Sequence, residues 1–348
     1  MTERARTTRV RQGVGLFEMQ DRGLLEVRGT DRIRWLDGMI TADVKRIEKR
    51  GEGAGCYALL LTHRGAIVAD LHVGRVGETL LLECSKTELA RIRAVLEKMI
   101  IADDVLLADR SGEFAVIGIE GARAGDVLAR ASGGSELPGV ESWGETLIAG
   151  ARVLVAGFGW SGEPAFQLRV APAAGTAVRG ALEAAAAALG VDAVAGDGAL
   201  LEVLRIEAGI PALGTELDEE VLPPEARLER AIANNKGCYV GQEIVARLRS
   251  RGQVNHLLVG LRFDGEEAPL AGAVLSASGR ATGEITSTVV SPTEGAIGLA
   301  YVRREHAEID TRVEFPGGSA RIAALPFVAP SNGSSNASSD PAAVPRSS

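Results

Sequence analysis

The chain has 348 residues, room for two or three domains at roughly 100–200 residues each, which excludes a peptide factor or a lone small module. Its 38 Lys+Arg against 46 Asp+Glu give a formal charge of −8, so a general electrostatic grip on nucleic acid or anionic lipid is disfavoured, and an anionic partner needs a local basic patch. Hydrophobic residues at 46% and charged residues at 24% fit an ordinary globular protein, while three cysteines with no CxxC pair point to a reducing compartment and to no metal site.

Residues 1–11 lack the apolar run of a secretory signal or a membrane span, so 1–12 read as a flexible leader and the protein as cytoplasmic, with no membrane partner. Residues 24–27 read as a strand; Thr30 or Asp31 then caps a helix with Ile33, Leu36, Ile40 and Val44 on its apolar face. Residues 56–61 and 66–73 form paired strands turning at His63-Arg64-Gly65, and 79–84 is a strand running into Ser85. Ser85 and Glu88 make a capping box for a helix presenting Leu89, Ile92, Leu96 and Met99. Strand 113–119 and helix 122–131 lead through a Gly-rich loop to strands 152–156 and 165–170. Helices follow at 180–189 and 199–207, the second closed by Gly209 and stopped by Pro211, and Pro223-Pro224 opens another through about Ala233. Beyond Arg251, short strands at 254–263, 274–276, 284–290, 298–302 and 311–315 are separated by Gly and Pro turns and predict a small β-barrel. The pattern is α+β, with a boundary near 245–253 and a Ser- and Pro-rich tail at 329–348 that has too little to bury and stays disordered.

Gly157-Phe-Gly159-Trp-Ser-Gly162 matches the GxGxxG phosphate-binding fingerprint, but the alternating run after it predicts a strand where that fingerprint needs a helix N-terminus. His63, His72, His256 and His306 are scattered and read as structural or surface residues. The informative stretch is Lys236-Gly237-Cys238-Tyr239-Val240-Gly241-Gln242-Glu243. Gly237 and Gly241 permit close backbone approach or positive φ; Lys236 and a helix starting near Gln242 favour thiolate at Cys238, with a packed loop thiol as the alternative. Upstream, Arg205 and Glu207 end a helix at a Gly-Pro exit. Downstream, Arg247, Arg249 and Arg251 alternate and share one face if extended, a basic stripe suited to carboxylates or phosphates, unless it serves solubility alone.

KGCYVGQEIVARLRSRGQVN, preceded by LRIEAGIPALGTELDEEVLPPEA, resembles the YgfZ family of folate-binding proteins, relatives of the glycine-cleavage T-protein, an aminomethyltransferase. GTDRIRWLDGMITADV at 29–44, HRGAIVADLHV at 63–73 and GWSGEPAFQL at 159–168 extend the likeness over most of residues 13–328. The resemblance implies a T-protein-like cloverleaf of α/β subdomains around a central folate cavity, with two interleaved subdomains over 13–245 and a closing barrel over 246–328. It implies that tetrahydrofolate or a one-carbon derivative binds there, with Glu163 on the pterin ring, Arg205 and Asp70 near it, and Tyr239 and Trp160 as stacking surface. Cys238 and Lys236 become the reactive pair of the signature loop, which Gly237, Gly241, Gln242 and Glu243 complete, and Arg247, Arg249 and Arg251 a seat for a polyglutamate tail. Proteins of that type support synthesis or repair of iron–sulfur enzymes, which would be the partners. T-proteins carry paired aspartates where this chain has Ala69-Asp70, and the first of the pair is expected to meet the reacting folate nitrogen. Alanine there disfavours the alternative function, folate-dependent aminomethyl or one-carbon transfer.

Overall fold

The computed structural model describes residues 3–331, which build two sheets and a barrel. The first sheet has the strand order Ala193–Gly196, Val14–Glu18, Ala115–Glu120, Ala165–Val170, Ala151–Ala156, Trp143–Ile148, antiparallel except for its first pair. The second is inserted in the chain after Val14–Glu18. Its order is Gly55–Leu61, Ile67–Val76, Thr79–Ser85, Arg22–Arg28, Leu106–Asp109, antiparallel throughout. Six later strands, from His256–Phe263 to Gly318–Ala323, close into a barrel.

Strand alternation decides what each sheet faces. In Ala165–Val170, Phe166, Leu168 and Val170 pack in one core with helices Ala124–Ala131 and Gly175–Ala188, so Gln167 and Arg169 project from the opposite face. In Ile67–Val76, Ala69, Leu71 and Val73 enter the core shared with helices Arg32–Met39, Val44–Arg50 and Leu89–Glu97, so Asp70 and His72 project away from it. The two outer faces meet over an apolar cluster that includes Leu24, Leu81, Trp143, Leu154 and Phe158. Within this contact Glu83, fully buried, holds Arg22, and Arg169 lies 3.6 Å from the same carboxylate with its guanidinium over Trp143. Burial lowers Arg169 to about 10; at Arg22 burial is the largest single influence, but the charge and hydrogen bond of Glu83 together with the charges of Asp70 and Asp21 outweigh it and raise the guanidinium.

Several local expectations change. Residues 3–12 are not a flexible leader: Glu3–Gln12 is an α-helix that delivers Arg11 to buried carboxylates. Ser85 and Glu88 make no capping box, because Ser85 ends a strand and its hydroxyl meets Thr87 at 2.9 Å, while Glu88 caps without a side-chain bond. Asp31 stands at the N-cap of helix Arg32–Met39 but makes no side-chain cap bond. Asp104 Oδ2 instead accepts from the backbone and hydroxyl of Thr30, and Asp31 Oδ2 accepts from the Asp104 N–H. These bonds hold both carboxyls below their usual range. The helix expected from Pro223 is replaced by turns and the short 3-10 segment Glu229–Ala231. Ala226, Leu228, Ala231 and Ile232 all bury against Tyr57, Leu59 and Tyr239, a set that one helical face does not present. No described helix is long and apolar enough to cross a membrane. The tail expected to be disordered falls, from residue 332 on, outside the described residues.

Candidate active site

The outward face of the second sheet opens on a cavity of about 400 Å³, within the size range of small-molecule sites. Tyr57, Asp70 and His72 reach it from two adjacent strands. Glu141 comes from the loop before Trp143, and Phe158 and Trp160 from the hairpin linking Ala151–Ala156 to Ala165–Val170. Leu325, Pro326 and Val328, on the segment leaving the barrel, close another side. A smaller cavity of about 270 Å³ shares Asp70, Trp160 and Pro211, so Asp70 stands where the two meet.

The Tyr57 hydroxyl donates to Asp70 Oδ2 at 3.3 Å. Burial, reinforced by the Asp70 charge, pushes Tyr57 well above the usual phenol range, so it stays a donor. His72 Nδ1 lies 3.0 Å from Glu141 Oε2, and its ring stacks on Phe158 at 3.6 Å with an interplanar angle of 3°. Arg230 lies over the Tyr57 ring at 4.7 Å and 3.9 Å from Glu141. Trp160 is aimed by its backbone. Buried Glu120, itself raised by desolvation, accepts the N–H groups of Trp160 at 3.1 Å and Ser161 at 2.7 Å. A Cβ on Gly159 would sit 2.9 Å from that carboxylate and 2.3 Å from the Ala165 methyl, which is why this turn uses glycine. The GxGxxG segment is thus a hairpin and not the start of a helix.

The expected site residues divide. Asp70 and Trp160 share both cavities, and Arg205 lines the smaller one. Ala69 is the core-facing member of its pair, fully buried, and the cavity-facing member is Asp70. The Arg205 guanidinium is spent on Glu202, the Ile210 carbonyl, Glu216 and Ser287, tying helix Gly198–Glu207 to the barrel. Glu163 lines neither cavity. Its carboxylate accepts from Arg11 at 3.0 Å and from the Ser331 N–H at 3.0 Å, and Arg11 also binds Glu207 at 2.6 Å. Tyr239 lies in the cluster behind Tyr57 and lines neither of these two cavities.

Lys236 is not beside a thiolate for reaction but buried as a staple. Its ammonium donates to the carbonyls of Asp37 at 2.6 Å, Ile40 at 2.8 Å and Ala42 at 2.6 Å. Burial pulls it below the ordinary lysine range despite Asp37. Cys238 is exposed and free, next to exposed Gly237. Gly241 takes φ 81° and starts helix Gln242–Arg251, with Glu243 in its first turn. Arg247, Arg249 and Arg251 therefore lie on a helix, where alternate residues diverge by about 200°, and do not form the extended stripe expected. Sequence reading missed Tyr57, Phe158, Glu141 and Arg230 and took His72 as structural. Strand parity with Asp70 was the available signal for His72, and nothing local marks Glu141.

Comparison with known proteins places this geometry in a family. Residues 3–236 match the model of the GCVT N-terminal domain, and 257–330 that of the glycine cleavage T-protein C-terminal barrel domain. An aminomethyltransferase of Saccharopolyspora erythraea is 33% identical over 328 residues, spanning 91% of this chain and 88% of that protein. One from Rubrobacter xylanophilus is 33% identical over 323 residues, spanning 91% and 84%. In fold, the chain is similar to the glycine cleavage system aminomethyltransferase T of Bartonella henselae, with a TM-score of 0.82 at 23% identity over 94% of this chain and 90% of that one. With its N-terminal region and its barrel both matched, the chain belongs to the aminomethyltransferase family of the glycine-cleavage T-protein.

Proposed function

We propose that the protein transfers a one-carbon unit to a reduced folate bound in the larger cavity, with Asp70 as the carboxylate that meets the acceptor. The observation that carries this reading is the parity of strand Ile67–Val76, which turns Asp70 to the cavity and Ala69 to the core. Phe158 and Trp160 give a planar heterocycle aromatic wall, and Asp70 accepts from its N–H donors. Tetrahydrofolate would bring the nucleophilic nitrogen. Asp70, held by the Tyr57 hydroxyl, offsets the positive charge that grows on that nitrogen as its bond to carbon forms. The aminomethyltransferase relatives support the same reading. The test is tetrahydrofolate titration followed by tryptophan fluorescence, with transfer assayed from an aminomethyl donor. Asp70→Asn should keep the Kd within about threefold and lose about 10²–10⁴ in rate. No saturable binding, or an Asp70→Asn variant at wild-type rate, refutes it.

A second reading, a YgfZ-type accessory factor for iron–sulfur enzymes, is favoured by one observation: Cys238 is exposed and outside both cavity walls, open to a protein partner. If cells carrying Cys238→Ala keep full activity of their iron–sulfur enzymes under oxidative stress, that reading is wrong. Unimpaired transfer by the same purified variant leaves the first one standing.

A further inference from the structure

We infer that His72, oriented by Glu141, is a second proton-accepting group of the larger cavity and takes the proton that the acceptor amine releases. The inference rests on the one-carbon transfer proposed above and assigns a residue to it. His72 lies in the cavity wall yet is only 8% exposed. Its ring is confined by Phe158, parallel at 3.6 Å, and by Tyr57, tilted 41° at 4.9 Å. Glu141 at 3.0 Å from Nδ1 favours the tautomer with Nδ1–H donating to the carboxylate, which leaves the Nε2 lone pair for the cavity. A base held by an orienting carboxylate is an arrangement suited to proton transfer. A histidine serving only to fill space needs no such partner.

Two residues along the strand, about 7 Å away, Asp70 faces the same cavity. The two groups divide the work by charge. Asp70 is a carboxylate already engaged by a phenol donor, whereas an imidazole is the side chain suited to taking up and releasing a proton near neutral pH. In the step, the acceptor nitrogen's lone pair forms a bond to the donor's methylene carbon. The donor's amino group is protonated, so as the bond from that carbon to it breaks the electron pair departs on nitrogen and a neutral amine leaves. The acceptor's N–H proton passes to Nε2, and Glu141 stabilises the imidazolium through Nδ1–H. The charged and titratable groups around the ring are Tyr57 on one neighbouring strand, Glu83 opposite His72 on the other and itself paired with Arg22, Asp70 on its own strand, and Glu141 with Arg230 from the loops.

The experiment measures kcat and KM from pH 5 to 9 with tetrahydrofolate and an aminomethyl donor, and the Kd for tetrahydrofolate, on full-length wild type, His72→Asn and Glu141→Gln. His72→Asn should keep the Kd within about threefold, lose about 10²-fold in kcat and lose the limb on which rate rises with pH. Glu141→Gln should also lower kcat with the Kd for tetrahydrofolate kept within about threefold, because the carboxylate that orients the imidazole is gone. Imidazole ¹⁵N NMR of the ligand-free protein above neutral pH should report Nδ1 protonated and Nε2 bare. The opposite tautomer, or a His72→Asn variant that keeps both kcat and the limb, overturns the inference alone. Loss of tetrahydrofolate affinity in step with rate makes His72 a structural residue and also overturns it. A wild type that does not bind tetrahydrofolate overturns the proposed function, and this inference with it.

Discussion

Replacing Lys236 by methionine tests whether the lysine of the signature octet is structural. Its side chain is 1% exposed and its three N–H groups are all used, on carbonyls at the end of helix Arg32–Met39 and in the link to Val44–Arg50. Methionine fills the volume, so what is lost is hydrogen bonding: three buried carbonyls lose a charged donor, and Asp37 loses a cation at 3.5 Å. A bond to a charged group contributes about 1.5–3 kcal/mol, and the three are not additive because one ammonium makes them all. The Asp37 carboxylate keeps the Val44 N–H at 3.0 Å and exposed Lys45 at 3.2 Å, which limits the damage. The expected loss is about 3–5 kcal/mol, the scale of breaking a buried charge pair and a large part of a total near 5–15 kcal/mol. At about 2–4 °C per kcal/mol this lowers Tm by roughly 6–20 °C in scanning calorimetry. Cys238→Ala, at an exposed position two residues on, should stay within about 0.5 kcal/mol of wild type. A Lys236→Met protein within about 1 kcal/mol of wild type, or a larger loss in Cys238→Ala, refutes the reasoning.

Burial pushes the thiols of Cys56 and Cys84 up to about 12 while Cys238 is exposed, so a disulfide reagent at pH 8 should titrate one thiol in the native protein and all three after denaturation; faster or additional native reaction contradicts this. A Cβ at Gly74 would lie 2.2–2.4 Å from the Trp143 ring, so Gly74→Ala should displace the ring between the sheets, cost about 1–3 kcal/mol and change the tryptophan emission. Unchanged emission and stability count against that packing. The Asp104 carboxyl titrates below its unfolded value, so its contribution is complete above the ordinary carboxylate range, near pH 4, and is lost as pH falls through the lower folded value. Urea unfolding should separate Asp104→Asn from wild type at pH 6 and bring the two together toward pH 2; a gap that widens with acid is the contrary result.

The long apolar runs made most strands and helices of the two sheets readable, and the Gly- and Pro-punctuated C-terminal strands made the barrel readable. The edge strands Leu106–Asp109 and Ala193–Gly196 were not, because four residues with little alternation gain their conformation from the strand they pair with. In the site, Asp70 was found by motif, and its neighbour's placement was legible too. The parity of Ala69, Leu71 and Val73, all apolar, already assigns the alanine to the core. Lys236 was misassigned. Its carbonyl partners lie 194 to 199 residues earlier, and backbone acceptors leave no trace in side-chain chemistry. Glu163 had a residue type that suits a pterin, but its partner Arg11 is 152 residues away on a helix that reads as a leader.

The segment that leaves the barrel fixes an order of events during synthesis. Phe327 and Val328 donate to the Glu207 carbonyl, and Ser331 donates to Glu163 and to the carbonyl of Arg11, 320 residues back. A nascent chain that has emerged only as far as Ala323 already contains both sheets and every barrel strand. It has neither the Leu325, Pro326 and Val328 side of the cavity nor the Ser331 donors to Glu163. That side of the pocket is therefore added only after the barrel strands have been made, and a chain ending at Ala323 would lack this wall.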